Sequence, residues 1–295
     1  MKELLAMEIV IEAIFKVLAT EGSFYCIYYF SKKCIFWNKS KELDVIYHSD
    51  NYLIVNKDYD VLINSDEPNS KTLQYKLCWQ FPNLVNPKLQ HGFYFTHRLD
   101  YCTSGVICIA LHKTACSAAS SAFQKRTTRK YYLALLRGHV SEEFIEIKNG
   151  IGEDAREVEG NHRMCVEEDQ SCLKPRSALT KLLVLQRGIY DGYPATKVLL
   201  RPITGRRHQL RVHCCHLGHT IVGDYTYSRR RDISPSRTFL HSFRLVLPSS
   251  VEHIDVTTPD PFDEDSCDGW IPVETLNKLN SGDKLNNGVF DKLNI

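Results

Sequence analysis

Six apolar residues in a row, Val106-Ile107-Cys108-Ile109-Ala110-Leu111, follow the small-residue turn Thr103-Ser104-Gly105, and before that turn lies the charged stretch His97-Arg98-Leu99-Asp100. An apolar run of this length behind a glycine fits a strand buried on both faces, and a buried helical segment gives the same pattern. Gly105 suits a backbone position that needs positive φ or lets another chain segment come close. The expectation is a charged loop braced on the edge of a core sheet, a common foundation for an active site. The plainer alternative is that Asp100 caps a turn and Arg98 is solvated, and these residues alone leave both open.

A chain of 295 residues has core enough for one large domain or two small ones. Lysine and arginine number 37 against 35 aspartate and glutamate, so bulk charge points to no nucleic-acid partner and only a local basic patch could supply one. Eleven cysteines without a Cys-x-x-Cys pair, two of them adjacent at Cys214-Cys215, favour reduced thiols over disulfides or a zinc site. That usage implies an intracellular, reducing compartment, the cytoplasm first. Residues 1–42 differ in texture from the rest and are expected to be an N-terminal extension. Residues 7–19 have helical apolar spacing, the aromatic run at 24–30 is too short for a bilayer, and Glu3, Glu8 and Glu12 argue against a signal or transit peptide.

From residue 43 the pattern becomes short strands and turns. Apolar runs at 45–47 and 52–55 flank Ser49-Asp50-Asn51 as a hairpin. After residues 106–111, Ala115, Ala118, Ala119, Ala122 and Phe123 fall on one helical face, with Thr114 placed to cap its start. That helix ends in Lys125, Arg126, Arg129 and Lys130, which either complement the helix C-terminus or meet phosphate. Strands are expected at 131–136, 179–185, 196–200, 239–247 and 253–257, a long polar loop at 149–176, and a mobile polar tail at 263–295. Residues 206–213 read as a helix carrying Arg207 and Arg211 at i, i+4 near its start at Thr204-Gly205, with Leu210, Cys214 and Leu217 on another face. No acid lies nearby in sequence, so a distant carboxylate or a phosphate is the natural counter-charge. If that carboxylate is Asp100, the guanidinium keeps it ionised, a poor general acid but a usable nucleophile or base. Tyr132 offers a flat ring for stacking on a base.

His97-Arg98-Leu99-Asp100 with Thr103-Ser104-Gly105, the strand Lys130-Tyr131-Tyr132-Leu133-Ala134-Leu135, and Thr204-Gly205-Arg206-Arg207-His208-Gln209-Leu210-Arg211-Val212-His213 together resemble the RluA-type pseudouridine synthases. Gly218-His219, Gly223-Asp224 and Tyr227 continue the likeness, which spans residues 43–262. The resemblance implies an α+β fold, a curved mixed and mostly antiparallel sheet flanked by helices around a central cleft. It implies an isomerase that converts a flipped-out uridine in RNA to pseudouridine, with Asp100 as the catalytic carboxylate, Tyr132 as the stacking ring and Arg211 as the partner of Asp100. Arg98, Lys130, Arg206 and Arg207 would meet RNA. No cofactor, metal, membrane or obligate protein partner is implied, and a monomer is expected. The chain departs from the family pattern at Asn56-Lys57-Asp58, where Asn-Lys-Pro is usual, and at Arg207 and Thr220, where Thr and Pro are usual. The alternatives are a relative that binds RNA without turnover, and a hydrolase using Ser104 or Cys102 with a histidine, which the lack of a Gly-x-Ser-x-Gly elbow disfavours.

Overall fold

The computed structural model describes residues 42–67, 70–156, 163–279 and 287–294. The expected N-terminal extension, apart from its last residue, lies outside them. The described residues divide into two compact units, one within 42–43 and 64–93, the other within 44–63 and 94–294. In the first, helix α1 (Leu73–Gln80) starts where the Thr72 hydroxyl accepts the Tyr75 N–H at 3.0 Å, and it buries Leu73 and Leu77. Gln80 Oε1 accepts the Leu43 N–H at 2.9 Å, and a 3₁₀ turn at Pro82–Leu84 follows.

The second unit runs, in chain order, β1 (Asp44–His48), β2 (Tyr52–Lys57), β3 (Tyr94–Phe95), β4 (Ser104–Ala110), α2 (Lys113–Gln124), β5 (Arg129–Arg137), β6 (Phe144–Ile147), β7 (Ile151–Asp154), β8 (Met164–Val166), β9 (Cys172–Arg176), β10 (Thr180–Tyr190), β11 (Tyr193–Pro202), α3 (Gln209–His216), β12 (Leu240–Pro248), β13 (His253–Thr257), β14 (Trp270–Thr275) and α4 (Asn287–Lys292). Eleven strands make one sheet in the order β1-β2-β4-β12-β5-β11-β10-β14, with β3, β6 and β13 paired beside it. Its pairings are antiparallel except β4 with β12, which is parallel. This is the mixed, mostly antiparallel α+β architecture expected. The apolar run after Gly105 is β4, buried along its whole length between β2 and β12.

Helix α2 covers one face of this region. Ala115, Ala119 and Ala122 pack on Tyr52, Ile54, Val106, Cys108, Ala110, Leu245, Leu247 and Ile254. Small side chains let helix and sheet approach closely, and a larger residue there would cost about 1–3 kcal/mol in overpacking. The helix is capped by His112, whose ring accepts the Ala115 N–H at 3.3 Å, and not by Thr114. The expected loop at 149–176 contains a separate three-stranded sheet, β8-β7-β9. Its strands are three to five residues long, too short for alternation to stand out against polar composition.

The structure also differs from the expected mobile tail at 263–295. Strand β14 pairs with β10. Val289, Phe290 and Leu293 are buried, with the Phe290 ring edge-on to Tyr131 at 4.7 Å and the Leu293 carbonyl accepting Arg201 Nη1 at 2.6 Å. A few apolar residues in polar surroundings suffice because they pack on side chains of the sheet, Phe290 on Tyr131 and 4.5 Å from the Arg244 guanidinium. No described helix is long and apolar enough to cross a membrane, and the nine described cysteines are free thiols.

Gly105 has φ +107° and faces Ser242 across the parallel pair, so a methyl there would run into the Ser242 backbone. Gly105→Ala is expected to lower unfolding free energy by more than about 3 kcal/mol, because both the backbone conformation and the contact are incompatible. Urea denaturation of the two proteins measures it.

Candidate active site

The segment carrying Asp100 joins β3 to β4 and is tied down from several sides. The Cys108 N–H donates to His97 Nε2 at 2.9 Å, and the His97 ring lies 5.0 Å from Phe123. Burial, with the Lys130 charge adding to it, pulls the His97 pKa to about 3, so this histidine is a neutral brace. The Thr103 N–H closes the turn onto the Asp100 carbonyl at 3.1 Å. Beneath it Lys57 is buried, and its ammonium donates to the carbonyls of Asp58, Val61 and Tyr101 at 2.9, 2.8 and 3.2 Å. Burial draws the Lys57 pKa down to about 8, against the nearby charges of Cys102, Asp58, Asp60 and Asp100. One buried cation thus joins the end of β2 to the residue next to Asp100.

The second charged stretch folds differently from the expected helix. His208 sits at φ 53° in the left-handed region, and α3 begins only at Gln209. Thr204, Arg206 and Arg207 therefore precede the helix. Gln209 Oε1 accepts the Thr204 hydroxyl at 2.7 Å and the Arg206 N–H at 2.9 Å, while its amide donates to the Leu179 carbonyl and Thr180 Oγ1 at 3.0 Å each. A single glutamine side chain thus fixes the loop that leads into the helix, satisfying buried polar groups on both sides.

Arg211 is the centre of the arrangement. Its Nε and Nη2 form a fork with the two oxygens of Asp224, at 2.7 and 2.8 Å, and its Nη1 faces Asp100 Oδ2 at 3.7 Å. The guanidinium also lies 5.0 Å from the Tyr227 ring centroid. Burial works against its charge, but the Asp224 hydrogen bonds and surrounding acidic groups outweigh it and the pKa moves up. Asp224 is fully buried, whereas the Asp100 side chain keeps 18% exposure. One carboxylate is thus spent on holding the arginine and the other stays within reach of a ligand. The Tyr227 hydroxyl accepts the Met164 N–H at 3.0 Å and pairs with His208 Nδ1 at 3.1 Å, linking the small sheet to α3.

Of the other residues expected at the site, Tyr132 on β5 is 8% exposed. Burial pushes its phenol pKa up, the Ser242 side chain pulls it back, and the Asp100 charge adds to the rise, so the ring is a neutral neighbour of Asp100. Arg98 and Arg207 are both exposed, and the Arg207 pKa is lowered by burial and then by Arg98 while Asp100 raises it. Lys130 Nζ lies 3.7 Å from where a Cβ on Gly205 would sit, beside the loop that leads into α3. Arg206 turns aside: its Nε donates to the Ser177 carbonyl at 3.0 Å and its charged neighbours are Arg176 and Arg126. Asp224, Tyr227 and Lys57 had no role in the sequence reading. Asp224 and Tyr227 stood there only as motif letters, and a carboxylate 13 residues from Arg211 gives no periodic signal.

The hydroxyl of Ser104 contacts His241 Nδ1 at 2.7 Å, and His241 Nε2 contacts Thr258 Oγ1 at 2.6 Å. All three residues are buried, and burial holds His241 neutral with a pKa of about 3. The Ser104 hydroxyl also accepts from Arg237 Nη2 at 2.5 Å, so it is committed on both sides as a brace of the β4–β12 junction, which disfavours it as a hydrolase nucleophile. Among the described residues no group of three His, Cys, Asp or Glu side chains could hold a metal ion.

Residues 51–216 match the family model described as RNA pseudouridylate synthase. The chain is 45% identical over 244 residues to RNA pseudouridylate synthase domain-containing protein 1 of Homo sapiens, covering 81% of this chain and 77% of that one. It is 33% identical over 227 residues to the dual-specificity RNA pseudouridine synthase RluA of Pasteurella multocida, covering 75% and 94% respectively. The solved structure of human RNA pseudouridylate synthase domain containing 1 matches with a TM-score of 0.75 and 41% identity, over 87% of this chain and 97% of that chain.

Asp224→Asn keeps the shape of the fork but removes its charge, leaving Arg211 buried beside one partly exposed carboxylate. A loss of about 3–5 kcal/mol in unfolding free energy is expected, read by urea denaturation at neutral pH.

Proposed function

The chain belongs to the RNA pseudouridylate synthase family, and from that membership we propose that it isomerises uridine in RNA to pseudouridine, with Asp100 as the catalytic carboxylate. The observation that carries this reading is the convergence of Asp100, partly exposed, with Arg211 at 3.7 Å and with Tyr132, from three distant parts of the chain. The synthase domain is taken as residues 43–262, with β14 adding a strand to its sheet.

In this reading the target uridine leaves its stack, at a cost of a few kcal/mol, and its sugar comes to Asp100. The bond from the sugar to N1 breaks, the freed uracil turns, and a bond forms to C5. C5 then loses its proton and N1 gains one, so the reaction is redox-neutral and needs no electron carrier. Asp100 acts as nucleophile or base, with the Arg211 guanidinium 3.7 Å away facing its carboxylate. Tyr132, neutral, supports the base through its ring. Arg98 and Arg207 are exposed, and Arg207 feels the charges of both Arg98 and Asp100, which suits this pair to phosphates near the extruded nucleotide.

Asp100→Asn preserves size and removes the charge. Pseudouridine formation, followed by tritium release from C5-labelled uridine RNA, is expected to fall more than about a hundredfold, while RNA retention on filters stays near wild type. Turnover close to wild type would refute the role. Tyr132→Phe keeps the ring and should retain most turnover, whereas Tyr132→Ala should lose about 1–3 kcal/mol of base stacking, seen as weaker binding and lower kcat/KM in the same assay.

A further inference from the structure

The segment Asp224-Tyr225-Thr226-Tyr227-Ser228-Arg229-Arg230-Arg231-Asp232 has an aspartate at each end, and both are anchored. At one end Asp224 is gripped by Arg211 and also accepts the Tyr227 N–H at 3.1 Å. At the other, Asp232 receives Arg137 Nε and Nη2 at 2.8 and 2.6 Å and the Gly223 N–H at 2.9 Å. Between them the Ser228 hydroxyl accepts the N–H groups of Arg231 and Asp232 at 3.2 and 3.1 Å, and the Arg230 N–H donates to the Tyr225 carbonyl at 2.8 Å. The loop is thus internally bonded and fixed at both ends.

What this frame displays is three consecutive exposed arginines. Arg229 and Arg230 take φ 55° and 63°, two successive left-handed residues that each cost on the order of 1 kcal/mol. Among the described residues none of the three guanidiniums meets a carboxylate, while the two aspartates that could have neutralised them are committed to Arg211 and Arg137. Arg230 lies 6.0 Å above the ring of Tyr225, and that ring is 54% exposed. Three like charges on a braced loop, with an open aromatic face beside them, repel each other unless an external polyanion relieves them. The net charge of the whole chain is only +2, so the patch is a local feature rather than a reflection of a basic surface everywhere.

We propose that this loop is a track for single-stranded RNA flanking the modified uridine: Arg229, Arg230 and Arg231 take successive phosphates, and Tyr225 stacks on an unpaired base. The proposal rests on the reading of Asp100 as the centre of an RNA-modifying site. Tyr225 directly follows Asp224, whose partner Arg211 also faces Asp100, so a single side chain links the loop to the candidate site. The open ring favours single strands, because a base must be unstacked from its neighbours to lie on it, and base–aromatic stacking with adjacent cations is the general device for holding such strands. An acidic peptide would use the charges but leave the ring without a partner.

The test uses the full chain and a short fluorescent oligouridine, whose affinity is measured across a salt series by anisotropy. Replacing Arg229, Arg230 and Arg231 together by Gln should weaken binding roughly tenfold at physiological salt and make the slope of log affinity against log salt shallower by about 2, the value for three phosphates on a single strand. Replacing all three by Lys keeps the charge and should restore the slope. Tyr225→Leu should weaken binding at high salt as well as low, and Tyr225→Phe should not. These residues are exposed, and circular dichroism with thermal unfolding verifies that the variants fold. Unchanged affinity and slope in the Gln variant would overturn the proposal, as would a loss that Lys fails to rescue. Tritium release by the wild-type chain and by Asp100→Asn separates the two readings: loop-dependent binding without any turnover leaves the track standing and removes the enzyme assignment, and turnover with loop-independent binding does the reverse.

Discussion

A single buried guanidinium sets the geometry on which the candidate site depends. Two nitrogens of Arg211 are consumed by the fully buried Asp224, and this fork fixes the direction of the third toward Asp100. A single carboxylate could not both orient the arginine and remain open to a ligand, because the fork uses both of its oxygens. Dividing the work between two acids leaves Asp100 with one long contact, partial exposure and a nearby positive charge. The same guanidinium packs against Tyr227, which carries the Met164 N–H and the His208 ring, so the small β8-β7-β9 sheet, α3 and the Asp100 loop share one fixed point.

That fixed point has to meet a loop of comparable rigidity. Asp100 stands on a turn closed by Thr103, backed by neutral His97 against β4 and crossed by the buried Lys57 ammonium. Strand β4 in turn is tied to β12 through the only parallel pairing of the described strands, where Gly105 admits the Ser242 backbone and Ser104 meets His241. Polar groups in these positions are buried and almost fully satisfied, an arrangement that favours one geometry over neighbouring ones because displacement would leave donors or acceptors without partners.

Much of this was legible in the chain. The apolar run after Gly105, the hairpin ahead of it, the alanine-faced helix and the closing strands all follow from periodicity and turn residues, and the stretches that hold Asp100 and Arg211 stand out as charged, while the roles expected of Asp100, Arg211 and Tyr132 come from the resemblance to a family. The misses have physical causes. Helix α3 starts three residues beyond Arg206 because His208 adopts a left-handed conformation, which a non-glycine residue does not advertise. The strands within 149–176 are too short to show alternation. The segment after residue 262 reads as a tail because its apolar residues are sparse, and only the sheet they dock against gives them a place. Asp224 was present in the motif, but its pairing with Arg211 is a tertiary fact with no local trace.

The parallel junction of β4 and β12 has a consequence for how the molecule is assembled. Ser104 and His241 are 137 residues apart, and everything between them, including β5, β10, β11 and α3, has to be spanned before that junction can close. Loop closure over such a distance is entropically late in folding and slow relative to local hairpins. During synthesis on the ribosome, the cradle for Asp100 therefore cannot be completed until β12 has left the exit tunnel, so a chain interrupted before that strand would display the motif without the shape that gives it meaning.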